Sequence, residues 1–116
     1  EQRGNLIGVM MVEGKKIVTE ADAEISEAID FLEYYRRVLL ELHSFNDIAW
    51  RPKGIVIVAP PWNFPCSIPT GGIAAALATG NAVIFKPAPE TREIGKIIAE
   101  IFFEAGVDKK ILQFFC

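Results

Sequence analysis

Two polar residues stand where this sequence could do chemistry. Asn63 lies in Ala59-Pro60-Pro61-Trp62-Asn63-Phe64-Pro65, between two aromatic side chains and among prolines that stiffen the backbone around it. An amide held in that way is a preorganised hydrogen-bond donor for a developing oxyanion. Asparagine in a turn can also simply bond its own backbone, and residue type alone favours that plainer role. Lys86 opens Lys86-Pro87-Ala88-Pro89-Glu90-Thr91. Its ammonium could hold a ribose or phosphate oxygen, or be a solvated lysine at a strand end, which is what spacing alone favours. Cys66 follows the first turn, but no histidine or second basic group is near it in sequence. It reads as a small buried hydrophobe rather than a nucleophile. His43, the only histidine, falls at a predicted helix C-terminus, where a partial cation is favourable and a surface role suffices. Gly71-Gly72 is not a G-x-G-x-x-G fingerprint, and Gly80-Asn81 is ordinary turn chemistry.

The elements that must position these residues show first in the charges. The chain has 116 residues and a formal net charge of −3, and 51% of it is hydrophobic. Charged residues fall on both sides of a run, Gly54 to Phe85, that carries none. This apolar content excludes disorder, and the small net charge gives no footprint for a nucleic acid. Pro60, Pro61, Pro65 and Pro69 interrupt the uncharged run, so it does not read as a membrane span, which needs about 20 uninterrupted apolar residues. Two cysteines make neither a disulfide framework nor a zinc spacing, so no metal site is expected, and a reduced, cytoplasmic setting is the default. The first residue is not Met, and no signal-like segment opens the chain, so a piece of something longer is expected.

Periodicity supplies the rest. Asn5 to Val12 is a short helix or a strand, with Gly8 arguing against the helix. Thr19 and Asp22 have the spacing of a capping box. Ile25, Ala28, Ile29, Leu32, Tyr35, Leu39 and Leu42 mark the inward stripe of a helix from about Glu20 to His43, with Glu33 and Arg37 paired on its outer face. Ile55-Val56-Ile57-Val58 reads as a strand buried on both faces, and Ala82-Val83-Ile84-Phe85 as a second. A helix of small residues, Ile73 to Ala78, lies between them. Thr91 to Ala105 is a helix with Ile94, Ile97, Ile98, Ile101 and Phe102 inward, and Ile111 to Phe115 is a third strand. Strand, helix, strand, helix, strand implies an open parallel α/β sheet with the uncharged run at its centre. Ligands of such sheets gather beyond the carboxyl ends of the strands, where both the Asn63 and the Lys86 turns belong.

Pro52-x-Gly54, Pro61-Trp62-Asn63-Phe64-Pro65, Ala78-x-Gly80-Asn81-Ala82-Val83 and Lys86-Pro87-Ala88 together resemble the NAD(P)-dependent aldehyde dehydrogenase superfamily. Arg3-Gly4-Asn5-Leu6-Ile7, Glu24, Ala28, Asp30-Phe31 and Tyr34-Tyr35 are similar to its 1-pyrroline-5-carboxylate dehydrogenase branch, including the dehydrogenase half of bifunctional proline-catabolic proteins. The resemblance implies a partial Rossmann-like parallel sheet preceded by helices. Residues 1–50 would be the N-terminal helical part of the cofactor domain, and residues 51–116 its first strand-helix-strand-helix-strand unit. It also implies that Asn63 is the side-chain donor of an oxyanion hole. Lys86 would contact the adenosine ribose or 2′-phosphate region of NAD, with Ala88 and Pro89 beside it, while Ala59, Pro60, Pro61 and Trp62 line the cofactor cleft. Many members carry Glu three residues after the lysine; Pro89 stands there, which leaves NAD and NADP both open.

The family's nucleophilic cysteine and general-base glutamate have no counterpart in these residues, so the segment by itself is expected to be inactive. The substrate implied is a small aldehyde such as glutamate semialdehyde, and the parent enzyme a cytoplasmic homo-oligomer. Two other readings compete with the enzyme: a non-catalytic α/β module binding a nucleotide or a protein, and an interaction segment whose long helix packs on a partner. On the family reading, the uncharged run is a buried unit whose turn presents Asn63 to a dry site.

Overall fold

A computed structural model describes residues 2–116. Two helices come first, α1 (Arg3–Val12) and α2 (Val18–Leu42). They are followed by β1 (Ile55–Val58), α3 (Ser67–Ala78), β2 (Ala82–Phe85), α4 (Arg92–Glu104) and β3 (Leu112–Phe114). The three strands form one parallel sheet in the order β1-β2-β3, with Val58 opposite Phe85 and Phe85 opposite Phe114. The expected α/β architecture and its parallel strands are therefore present, although the sheet centre is β2.

The first segment is a helix. Leu6 and Met10, one turn apart, are buried on one side, while Gly4 and Gly8 face open space. The glycines cost helix propensity and nothing in packing. Helix α2 begins two residues before its expected start, and its cap is not the Thr19–Asp22 box. The Glu20 carboxylate reaches back to accept the Ile17 backbone N–H, whereas Asp22 accepts from Arg3 at 2.7 Å. The inward stripe holds for Ile25 and Ala28 but fails at Ile29 and Leu32, which are exposed. The reason is the face that α3 covers: Phe31 packs against Gly71 of α3, whereas Ile29 and Leu32 turn to an open groove shared with Ile98, Ile101 and Phe102 of α4. The Glu33–Arg37 pair forms at 2.6 Å, and Arg36 joins it.

Burial alternates along the strands, which corrects the expectation of strands buried on both faces. Val58, Val83, Phe85 and Leu112 point into the core, whereas Ile55 and Ile57 are 68% and 67% exposed. Helices α3 and α4 cover one face of the sheet, and α1 and α2 pack on those helices as a further layer. β1 is an edge strand among the described residues, not the middle of the sheet. Asn81 does more than turn the chain. Its Oδ1 accepts the Gly54 N–H at 3.0 Å and its Nδ2 donates to the Ala76 carbonyl at 3.1 Å, joining the start of β1 to the end of α3. Gly80 makes this possible with a φ of 79°, a conformation that favours glycine.

Candidate active-site turn and cofactor edge

Because Val58 and Phe85 are register partners, the residues after them emerge side by side at the carboxyl end of the sheet. The fold thus brings Ala59 to Pro65 and Lys86 to Pro89 to one edge. The Lys86 backbone N–H donates to the Val58 carbonyl at 2.9 Å, which ties the second turn to the first at its root. Beyond that bond the Lys86 side chain is exposed. Pro87 behind it is buried against α4 at Gly95, where an added Cβ would stand 2.7 Å from the Pro87 ring. Ala88 is half-buried, and exposed Pro89 begins the single 3₁₀ turn that leads into α4.

Asn63 lies at the crest of its turn and is exposed, as are Trp62 and Phe64 on either side. Ala59 and Pro61 are exposed and Pro60 is half-buried. The expectation of a dry site around Asn63 therefore does not hold within this segment, because no element among the described residues covers that edge of the sheet. The turn then dives inward. Pro65, Cys66 and Ser67 are all buried as α3 begins.

A carboxylate that spacing arguments did not single out for chemistry holds this descent. Glu24, on the inner face of α2, is only 3% exposed. Its Oε1 accepts the backbone N–H of Cys66 at 2.6 Å and of Ser67 at 3.0 Å. These are free amides at the start of a helix, where an anion is stabilised both by direct bonds and by the helix dipole. Oε2 lies 3.0 Å from Lys16 Nζ, an ion pair outside hydrogen-bonding angles. The same ammonium stands 4.4 Å from the centre of the Phe64 ring, a cation–π contact. A signal for Glu24 existed in the sequence: it shares the inward stripe with Ala21, Ile25 and Ala28, and a charge there calls for a buried partner. Nothing comparable marked Lys16.

Cys66 is 2% exposed. Burial, aided by the nearby Glu24 charge, pushes its thiol up to about 12, against a weaker pull from a hydrogen bond with Thr70. A thiol so reluctant to ionise is no nucleophile at neutral pH. His43 caps the end of α2 at the surface, beside a groove of about 490 Å³ that includes neither Asn63 nor Lys86. An apolar groove of about 460 Å³ between α1, α2 and α4 also excludes both. Among the described residues, no three His, Cys, Asp or Glu side chains converge as metal ligands, and no helix is long and apolar enough to cross a membrane.

The model of the aldehyde dehydrogenase family matches residues 1–116. The chain is 43% identical over 113 residues to the bifunctional protein PutA of Salmonella typhimurium, covering 97% of this chain and 8% of that protein. It is 37% identical over 116 residues to 1-pyrroline-5-carboxylate dehydrogenase 2 of Bacillus subtilis, covering 91% of this chain and 22% of that enzyme. Among solved structures, PutA from Corynebacterium freiburgense superposes with a TM-score of 0.88 at 41% identity, over 98% of this chain and 12% of that one. A Thermus 1-pyrroline-5-carboxylate dehydrogenase with bound NAD superposes with a TM-score of 0.86 at 35% identity, over 96% of this chain and 24% of that one. The chain thus spans under a quarter of the length of these relatives. Matched by the family model over its whole length and similar to these relatives over more than nine-tenths of it, the chain belongs to the aldehyde dehydrogenase family.

Proposed function

We propose that these residues are the opening part of the cofactor domain of an NAD(P)-dependent aldehyde dehydrogenase that oxidises glutamate semialdehyde, in equilibrium with 1-pyrroline-5-carboxylate, to the carboxylate. Relatives named for that activity support the substrate class. The observation that carries the reading is the placement of Asn63 and Lys86 on one sheet edge, with the backbone behind Asn63 pinned by Glu24. In this reading a cysteine thiolate elsewhere in the parent protein adds to the aldehyde carbon, the C=O π bond breaks, and the former carbonyl oxygen of the resulting thiohemiacetal carries the negative charge. Asn63 donates its amide N–H to that oxygen. One such donor is worth about 2.7–4 kcal/mol in the transition state.

A bound nicotinamide cofactor supplies the hydride acceptor. The residues present fit its adenosine end. The exposed Lys86 ammonium offers a donor to ribose or 2′-phosphate oxygens, and Trp62, Ala59, Pro60 and Pro61 offer an apolar wall, with Ala88 and Pro89 beside the lysine. They do not fit the pyrophosphate at a helix N-terminus, because α3 and α4 already hold the Glu24 and Glu13 carboxylates there. The pyrophosphate contact therefore belongs to other parts of the parent enzyme. A homo-oligomeric, cytoplasmic parent is part of the same reading, as is inactivity of residues 1–116 alone.

The test is Asn63→Ala in the full-length polypeptide that carries this segment. A fall in kcat of about 10²–10³ is expected, with NAD affinity unchanged. An unchanged kcat removes Asn63 from the mechanism.

A further inference from the structure

We infer that Glu24, together with Lys16, sets the position of the Asn63 amide, making both positioning residues for the reaction proposed above. The inference rests on that reading. Three observations converge on it. Asn63 is exposed between two exposed aromatic residues, so its own neighbours in the crest do not pack it in place. Three and four residues downstream, the Cys66 and Ser67 amides are both bonded to one Glu24 oxygen, the shorter bond at 2.6 Å. One residue downstream, the Phe64 ring lies under the Lys16 ammonium, which is itself paired with Glu24 at 3.0 Å.

The two tethers close a loop of contacts over Phe64 to Ser67, the stretch that directly follows Asn63. Lys16 lies two residues before α2, in the link from α1, and Glu24 lies in the second turn of α2, so the two tethers reach the turn from adjoining segments. Both are largely removed from water, with side-chain exposures of 12% for Lys16 and 1% for Glu24. Bonds to an anion in a dry setting are short and directional, which suits them to fixing a backbone. An oxyanion donor must lie within a few tenths of an ångström of its productive place, and a misplacement of about 1 Å can cost about 10²-fold in rate. Proline on each side of the crest narrows the paths of the chain, and the Glu24–Lys16 pair then selects one of them.

The experiment uses the full-length polypeptide and compares Asn63→Ala, Glu24→Ala, Glu24→Gln, Lys16→Met and the Glu24→Ala/Asn63→Ala double variant. Folding is checked by circular dichroism, NAD affinity by fluorescence titration, and kcat and KM for the aldehyde by steady-state kinetics. Glu24→Ala is expected to lower kcat by about 10–100-fold while the NAD dissociation constant stays within about twofold. Glu24→Gln, whose amide oxygen can still accept the two N–H groups, is expected to recover most of that loss. On the Asn63→Ala background, Glu24→Ala is expected to cost less than about threefold more, because the donor it positions is gone. Full multiplication of the two losses, or wild-type kcat in Glu24→Ala, overturns the inference. If Glu24→Ala yields no folded protein, Lys16→Met carries the test: a kcat loss that disappears on the Asn63→Ala background supports the inference, and wild-type kcat overturns it. A wild-type kcat in Asn63→Ala alone is a separate outcome. It sinks the oxyanion reading itself and this inference with it.

Discussion

Helices α3 and α4 leave the sheet in the same way, each entering after a strand and a proline-containing turn, and neither has a side-chain cap of its own. Each instead borrows a carboxylate from the N-terminal helical pair. Glu24 caps α3 from within α2, and Glu13, at the end of α1, caps α4 by accepting the Glu93 and Ile94 N–H groups at 3.0 Å each. The two ends differ in solvent. The Glu24 bonds are buried and balanced by Lys16, whereas Glu13 is half-buried, with an exposed bond from Glu93 and a part-buried one from Ile94. A capping bond at the surface competes with water and serves the helix alone. One in a dry setting fixes geometry, and the dry one stands beside Asn63.

The sharpest way to break this comparison is to remove each carboxylate. Glu24→Ala leaves two buried amides and the Lys16 charge without a partner and should cost about 3–5 kcal/mol in denaturant unfolding. Glu13→Ala loses a solvent-accessible cap and should cost about 0.5–2 kcal/mol. Equal costs would erase the distinction between the two ends.

Alkali should act on the α3 end through Cys66, which lines that end and is buried. Its thiol is raised from 9.0 to about 12, so the folded state holds the proton more tightly than the unfolded one. That contribution is complete below pH 9 and declines as the pH rises towards 12, by about 1.4 kcal/mol per pH unit over that window. Unfolding measured from pH 8 to pH 10 should be nearly flat at first, steepen through pH 9 towards this slope, and lose the decline in Cys66→Ala. A flat profile for the parent protein would mean that the α3 end is wetter than its geometry implies.

Close packing provides a third, smaller contrast. At Gly95 of α4 an added Cβ meets the buried Pro87 ring at 2.7 Å, while at Gly72 of α3 the nearest atom is a Val58 methyl at 3.1 Å. Gly95→Ala should therefore cost about 1–3 kcal/mol and disturb the Lys86 turn, seen as weaker NAD binding. Gly72→Ala should cost less, since the Val58 side chain can give way. Reversal of that order would show that the Lys86 turn is not wedged in place by α4.

The same contrast separates what could be read along the chain from what could not. β-Branched runs announced β1 and β2, and the three-and-four spacing of Ile94, Ile97, Ile98 and Ile101 announced α4 to within a residue at each end. These signals are local, because burial of one face repeats with the period of the element. The burial of Cys66 was legible for a related reason: nothing near it in the chain could ionise it. Exposure of Ile55 and Ile57 was not legible, since a continuous apolar run looks the same whether one face or two are covered. The α2 cap departs from the Thr19–Asp22 spacing because Glu20 stands at the same three-residue spacing from Ile17, and only the entering backbone decides between the two.

Residue order alone thus determined the strand–helix alternation, the position of Asn63 and Lys86 just past their strands, and, through its motifs, the family. Tertiary structure decided which carboxylate meets which helix. Glu24 meets Cys66 across 42 residues and Glu13 meets Glu93 across 80. No periodicity spans such distances. A bond of that range depends on how α1 and α2 pack across the crossovers, and that packing is a property of the assembled layers rather than of any stretch of chain.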